Sequence, residues 1–223
     1  MGKKVQNVII TGSSGYVASD LVPRLKEEIN VFGVDQHFSN YSDLEASIES
    51  FEFKNCMDQF IEEEIIIVNL AAARFDFGAT AMDYYKLNVE CHQFFTKALG
   101  NLNVRKFIHI SSVAALDGRS IPYSEKLNCD DAYRSTKYLQ EVMIQKWCDE
   151  HNVALTILYP SAIFSDDPRS DTNIGKLQSV SKFTPVIPKI EVIKSLTYLP
   201  FFSKFIKEYL FILVDKICQS FVL

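Results

Sequence analysis

The run Val8-Ile9-Ile10-Thr11-Gly12-Ser13-Ser14-Gly15-Tyr16-Val17-Ala18 constrains the fold of this chain more than any other segment. Its apolar start reads as a buried strand, its two glycines as a tight turn, and the residues after Gly15 as the opening of a helix. A helix that begins directly after such a turn aims backbone N–H groups and the positive end of its dipole at one point, where a diphosphate can sit. Gly12 permits the turn and Gly15 lets the main chain approach a phosphate. Ala18 stands where a small residue packs helix against strand.

The same alternation of strand and helix continues to about residue 160. Strands are expected at Val8 to Thr11, Val31 to Asp35, Phe51 to Phe53, Ile65 to Leu70, Phe107 to Ser111 and Ala154 to Tyr159. Helices are expected at Tyr16 to Glu28, Met82 to Leu99 and Tyr133 to Glu150. Several strands are apolar throughout, as strands covered on both faces are, so the fold class is α/β around a doubly wound parallel sheet. A polar, proline-containing stretch, Asp166-Asp167-Pro168-Arg169-Ser170-Asp171, sets the expected boundary between a domain over 1–165 and a shorter segment over 166–223. That segment ends in an amphipathic run, Phe202 to Leu223, too interrupted by charge to span a bilayer. It reads first as a helix docked on the body and second as a peripheral membrane or dimer contact.

Composition narrows the partners. With a net charge of −5 and no run of basic residues, the chain lacks the surface that neutralises nucleic-acid phosphates. Five scattered cysteines with no Cys-x-x-Cys spacing, and four histidines with no i, i+4 pair, give no expectation of a metal. The cysteine pattern and the lack of a signal-like N-terminal stretch lead to an expected cytoplasmic location.

Two groups of residues carry the chemistry. Asp35 ends the second strand 20 residues beyond Gly15, where a carboxylate accepts hydrogen bonds from the adenosine ribose and repels a 2′-phosphate. With no Arg or Lys in the turn or directly after Asp35, the expected cofactor is NAD rather than its phosphorylated analogue. The second group is Ser111-Ser112 at a strand end, with Tyr133-Arg134-Ser135-Thr136-Lys137 on the following helix. Tyr133 and Lys137, four apart, share a helix face. An ammonium beside a phenol stabilises the phenolate and makes proton transfer with a hydroxyl feasible near neutrality.

Taken together, these motifs resemble the extended short-chain dehydrogenase/reductase superfamily, and within it the NAD-dependent epimerase/dehydratase family, over about residues 5–165. The resemblance implies a Rossmann-type sheet with a reduced C-terminal substrate-lobe segment. It implies that Gly12, Ser13, Ser14, Gly15, Tyr16, Val17 and Asp35 hold the dinucleotide. Lys54-Asn55-Cys56-Met57-Asp58 aligns with a Gly-Asp-Leu-x-Asp segment, which puts Asn55 and Cys56 by the adenine. Val68-Asn69-Leu70-Ala71-Ala72-Ala73 looks like the strand-end His-x-Ala-Ala motif with Asn69 for His, giving Leu70, Ala71 and Ala72 as cofactor contacts. Asn88 resembles an asparagine that braces the active site. Tyr159-Pro160 resembles an Arg-Pro pair with Tyr159 for Arg, which adds Pro160 to the cofactor side.

By the same resemblance Ser112, rather than Ser111, is the catalytic serine and Tyr133 the acid/base, while Lys137 also bonds the nicotinamide ribose. The activity implied is that of an oxidoreductase or epimerase acting on a nucleotide-activated sugar by hydride transfer. Ser112 is followed by Val113-Ala114 rather than an acidic pair, which disfavours dehydration. The alternatives are a reductase or dehydrogenase of a hydroxysteroid or other small alcohol, and a non-catalytic NAD-binding relative. The resemblance also implies a homodimer through the helices following Met82 and bearing Tyr133, which often form a four-helix interface in that family. The face of Phe94, Phe95 and Leu99 fits that interface or the core equally.

Overall fold

The computed structural model describes residues 7–74, 79–164, 196–198, 200–208 and 210. The glycine-rich opening forms β1 (Asn7–Thr11), a turn and α1 (Tyr16–Lys26), followed by β2 (Asn30–Asp35), β3 (Leu44–Glu45) and α2 (Phe51–Met57). Next come β4 (Glu64–Asn69), α3 (Ala81–Tyr85), a π-helical turn over Lys86–Glu90, α4 (Cys91–Ala98) and β5 (Asn103–Ile110). The chain continues through α5 (Ala114–Gly118), α6 (Cys129–His151), β6 (Ala154–Leu158), β7 (Ala162–Phe164) and β8 (Leu196–Tyr198).

Six strands pair in the order β3-β2-β1-β4-β5-β6, all parallel. The order reverses between β1 and β4. Ligands of open α/β sheets bind outside the carboxyl ends of the strands at such a reversal. Register follows from burial on both faces. Ile9, Ile65, Ile67 and Phe107 point to one core with Phe53, Met57, Phe95 and Trp147 from the helices. Val8, Ile10, Ile66, Val68 and Ile108 point to the other, with Leu21, Val22 and Leu25 of α1. A one-residue slip would exchange these sets, so the pattern pins the pairing.

Phe51 to Phe53 is a helix, not a strand. The Ser50 side chain accepts from the Phe53 N–H and caps α2, whose Phe53 and Met57 are buried one turn apart. The third strand is the two-residue β3, which pairs Val34 with Leu44 and Asp35 with Glu45. α6 starts four residues before Tyr133 because Asn128 caps it through the Asp131 N–H, with Asp130 and Asp131 in its first turn. It stops where Asn152 turns left-handed at φ 56°. Phe95 and Leu99 belong to the core, whereas Phe94 is half exposed with the Lys97 ammonium over its ring.

Beyond the polar stretch at 166–171, β8 pairs in parallel with β7. A helix over 200–208 buries Ile206, and Leu210 beyond it is also buried in the α1-side core. Its Lys207 is 2.6 Å from a carboxylate oxygen of Glu28. The rest of the amphipathic run, 211–223, lies outside the described residues. No helix of the described residues is long and apolar enough to cross a membrane.

Candidate active site

The glycine turn closes against the end of β4. Gly12 has φ 74°, a left-handed conformation, and a Cβ there would lie 2.8 Å from the Ala71 nitrogen and from the Leu70 carbonyl carbon. The loop after β4 therefore presses on the turn, and only glycine fits between them. The Gly15 N–H donates to the Gly12 carbonyl at 3.0 Å. Gly15 itself is the N-cap of α1, in extended conformation. No side chain caps α1, and its first turn has no acidic residue. The first turn of α1 thus contributes no carboxylate of its own to compete with an anion at the helix's positive end. Asp35 lies across the turn and accepts from the Ser14 N–H at 3.0 Å and the His37 N–H at 2.9 Å. Gly12, Ser13, Ser14, Gly15, Tyr16, Val17 and Asp35 are brought together with Leu70, Ala71 and Ala72 at the reversal of strand order. These residues fit a dinucleotide: a cradle that a Cβ would fill, an uncapped helix start and a carboxylate at the neighbouring strand end.

Asn55 and Cys56 do not join them. They sit on α2, Asn55 exposed and Cys56 packed against the core. The residue that follows the third strand next to Asp35 is Ala46, whose N–H donates to the Asp35 carbonyl at 2.8 Å. The segment aligned with the Gly-Asp-Leu-x-Asp motif is thus helical and lies one element after the strand that pairs with β2.

The second half of the site stands on β5, its following loop and α6. Ser112 hydrogen-bonds the Tyr133 phenol, and its Oγ also accepts from the Ala114 N–H at 3.2 Å. Ser111 is engaged elsewhere: its hydroxyl donates to Glu141, whose other carboxylate oxygen accepts from the Tyr159 hydroxyl at 3.1 Å. The Pro160 carbonyl accepts from the Val113 N–H at 3.2 Å and ties the end of β6 to the Ser112 loop. Asn88 sits on the π-helical turn, where π geometry is common at functional sites. Its Oδ1 accepts from the Ala73 N–H at 2.7 Å and its Nδ2 donates to Thr136 Oγ1 at 3.1 Å. It bridges the loop after β4 to the helix turn that carries Tyr133 and Lys137.

Lys137 lies one turn after Tyr133 on α6. Its side chain is buried, and a buried ammonium must place its donors on acceptors. Nζ donates to Gln140 Oε1 at 2.6 Å and to the Ile110 carbonyl at 3.3 Å. Burial lowers its pKa to about 7, with Glu141 acting in the opposite direction. Burial also raises the pKa of Tyr133, which the Ser112 hydrogen bond offsets in part. At neutral pH the phenol is therefore protonated, with the Ser112 hydroxyl beside it.

Beneath this pair lies a buried polar chain that sequence spacing does not reveal. Thr11 donates to Asn69 Oδ1 at 2.6 Å, and Asn69 Nδ2 is 3.1 Å from His109 Nδ1. His92 Nε2 is 3.4 Å from Asn69 Oδ1 and 2.8 Å from Gln140 Nε2. Burial pushes the pKa of His92 down to about 3, and that of His109 well below its usual value. Both rings are neutral. Their partners come from β1, β4, β5, α4 and α6, so only the packed fold brings them into contact.

Residues 8–189 match the NAD dependent epimerase/dehydratase family. The chain belongs to that family. It is 25% identical over 206 residues, 90% of its length, to the N-acetyl-alpha-D-glucosaminyl-diphospho-ditrans,octacis-undecaprenol 4-epimerase of Escherichia coli O157:H7. It spans 62% of that relative's length. Among solved structures, it is similar to a UDP-N-acetylglucosamine 4-epimerase from Methanobrevibacter ruminantium M1 in complex with UDP-N-acetylmuramic acid. That match has a TM-score of 0.68 and 19% identity, covering 90% of this chain and 71% of that one. A UDP-glucuronic acid 4-epimerase from Bacillus cereus in complex with NAD matches at TM-score 0.62 and 19% identity, covering 79% and 63%. These likenesses show the Rossmann-type fold that the strand order already gives.

Proposed function

We propose that the chain binds NAD along the β1–α1 turn and acts as an oxidoreductase or epimerase on a nucleotide-activated sugar. The observation that carries this reading is the meeting of two half-sites at one end of the sheet. The uncapped glycine turn faces Asp35 and Ala71, and the Ser112–Tyr133 pair stands on the next elements along. Gly12, Ser14, Gly15 and Asp35 would hold the diphosphate and adenosine ribose. Leu70, Ala71 and Ala72 would lie against the dinucleotide, with Lys137 beneath its second ribose. NAD, when bound, supplies a reversible hydride acceptor. Ser112 holds the sugar oxygen, and Tyr133 exchanges a proton with it. The relatives named above support a hexose carried on a diphosphate, since each is a 4-epimerase named for such a substrate.

The test is Tyr133→Phe in the full chain. Loss of a positioned acid/base lowers turnover of a nucleotide sugar by about 100-fold or more, while affinity for NAD, read by calorimetry, stays unchanged. Turnover that survives the substitution would remove Tyr133 from the chemistry.

A further inference from the structure

Gln140 faces three groups at once, and its two ends cannot be exchanged. A carbonyl oxygen only accepts and an ammonium only donates. The amide NH2 must therefore face the Ala71 carbonyl, 3.2 Å from Nε2, and the amide oxygen must face Lys137 Nζ at 2.6 Å. The NH2 group also meets His92 Nε2 at 2.8 Å. Gln140 is wholly buried, as are His92 and Lys137. Ala71 is the residue whose nitrogen would lie 2.8 Å from a Cβ on Gly12. A single side chain thus connects the amine of the Tyr133 helix to the loop that presses on the glycine turn.

We infer that Gln140 is a positioning residue, whose amide fixes the Lys137 amine in register with the β4 loop and so locks the two halves of the site together. This rests on the proposed dinucleotide site for its functional meaning, but the geometry of the clamp is independent of it. Tyr133 and Asn88 hold the outer side of the site through Ser112 and Thr136. Gln140 holds the inner side, where no other side chain reaches both Lys137 and Ala71 among the described hydrogen bonds. His92 on α4 meets the amide nitrogen with both ring nitrogens, at 2.8 and 3.2 Å, and stays neutral. The groups that act electrostatically around the amine are Glu141 on α6, His92 on α4 and His109 on β5; β4 contributes the uncharged Asn69, and the loop after it the Ala71 carbonyl.

Two substitutions of similar volume separate positioning from packing. Gln140→Met keeps the volume and removes both ends of the clamp. Gln140→Glu keeps an acceptor for Lys137 and removes the donor to Ala71. Two readouts are taken on the full chain: NAD affinity by calorimetry, and the titration of the Lys137 side chain by lysine-selective NMR. In Gln140→Met the Lys137 titration moves to lower pH, and NAD binding weakens about ten-fold, the scale of one lost hydrogen bond to a charged group. In Gln140→Glu the titration moves to higher pH while NAD affinity stays low, because a carboxylate holds the amine but has no donor for the Ala71 carbonyl. A side chain that only filled space would leave the Lys137 titration and NAD affinity unmoved in Gln140→Met, and that result overturns the inference. If the unaltered chain binds no NAD, the dinucleotide reading fails, but the NMR titrations still decide whether Gln140 holds the amine. If Gln140→Met does not fold, NAD affinity in Gln140→Glu carries the test: weakened binding supports the clamp to Ala71, and affinity equal to that of the unaltered chain contradicts it.

Discussion

Lys137 shows at the scale of one residue how burial and function pull against each other. Its folded pKa of about 7 lies below the 10.5 of an exposed lysine. Between those values the unfolded chain binds a proton that the folded chain does not, so stability rises with pH across that window and falls as pH drops toward 7. Lys137→Met removes this dependence. Denaturant unfolding should find the variant more stable than the unaltered chain by a few kcal/mol at pH 6, with the gap shrinking toward pH 10. A gap independent of pH would mean that the amine is not desolvated. The residues of the two half-sites were legible in the sequence because each group is local: Gly12 to Gly15 within one turn, Tyr133 and Lys137 within one helical turn, Asp35 at the next strand end. Gln140, His92 and Glu141 were not. Gln140 lies one turn after Lys137 like many core-facing residues, and its contact with His92 exists only because α4 packs on α6.

The elements were legible where they are long and apolar. Strands β1, β2, β4, β5 and β6 follow the expected runs within a few residues, because both faces of the sheet are covered and each strand carries an apolar stretch. The exception is the third strand. Two residues, Leu44 and Glu45, carry no periodicity of their own and join the sheet only by pairing with Val34 and Asp35. The phenylalanines at 51 and 53 have strand-like spacing, yet Ser50 caps a helix there, and the adenine-side residues were misplaced with them. The β1–α1 turn is the element on which the site depends. Gly12→Ala forces a side chain into the left-handed region and against the Ala71 nitrogen, at a cost of about 1–3 kcal/mol. Its unfolding midpoint should fall accordingly, and NAD affinity should be lost. A variant that retains both would show that the turn does not press on the β4 loop.

At the scale of the whole molecule, the helix over 200–208 closes the α1 side of the sheet. Ile206 is buried in the same cluster as Leu21, Ile66 and Ile108, so the region beyond the polar stretch at 166–171 contributes to the core of the sheet domain. Ile206→Ala should destabilise the chain by about 2–5 kcal/mol, read as a lower urea midpoint with an unchanged slope; a midpoint that stays put would mean that this helix is not docked in solution. The chain spans 62% of the length of its curated relative, while both half-sites lie within the described part of the sheet domain. Calorimetric titration of the full chain with NAD and with NADP therefore tests the proposed cofactor site most directly. The expected result is saturable binding of NAD, at least about ten-fold weaker binding of NADP because Asp35 repels a 2′-phosphate, and loss of that preference in Asp35→Ala. A folded chain that binds neither dinucleotide, or that prefers NADP, would contradict it.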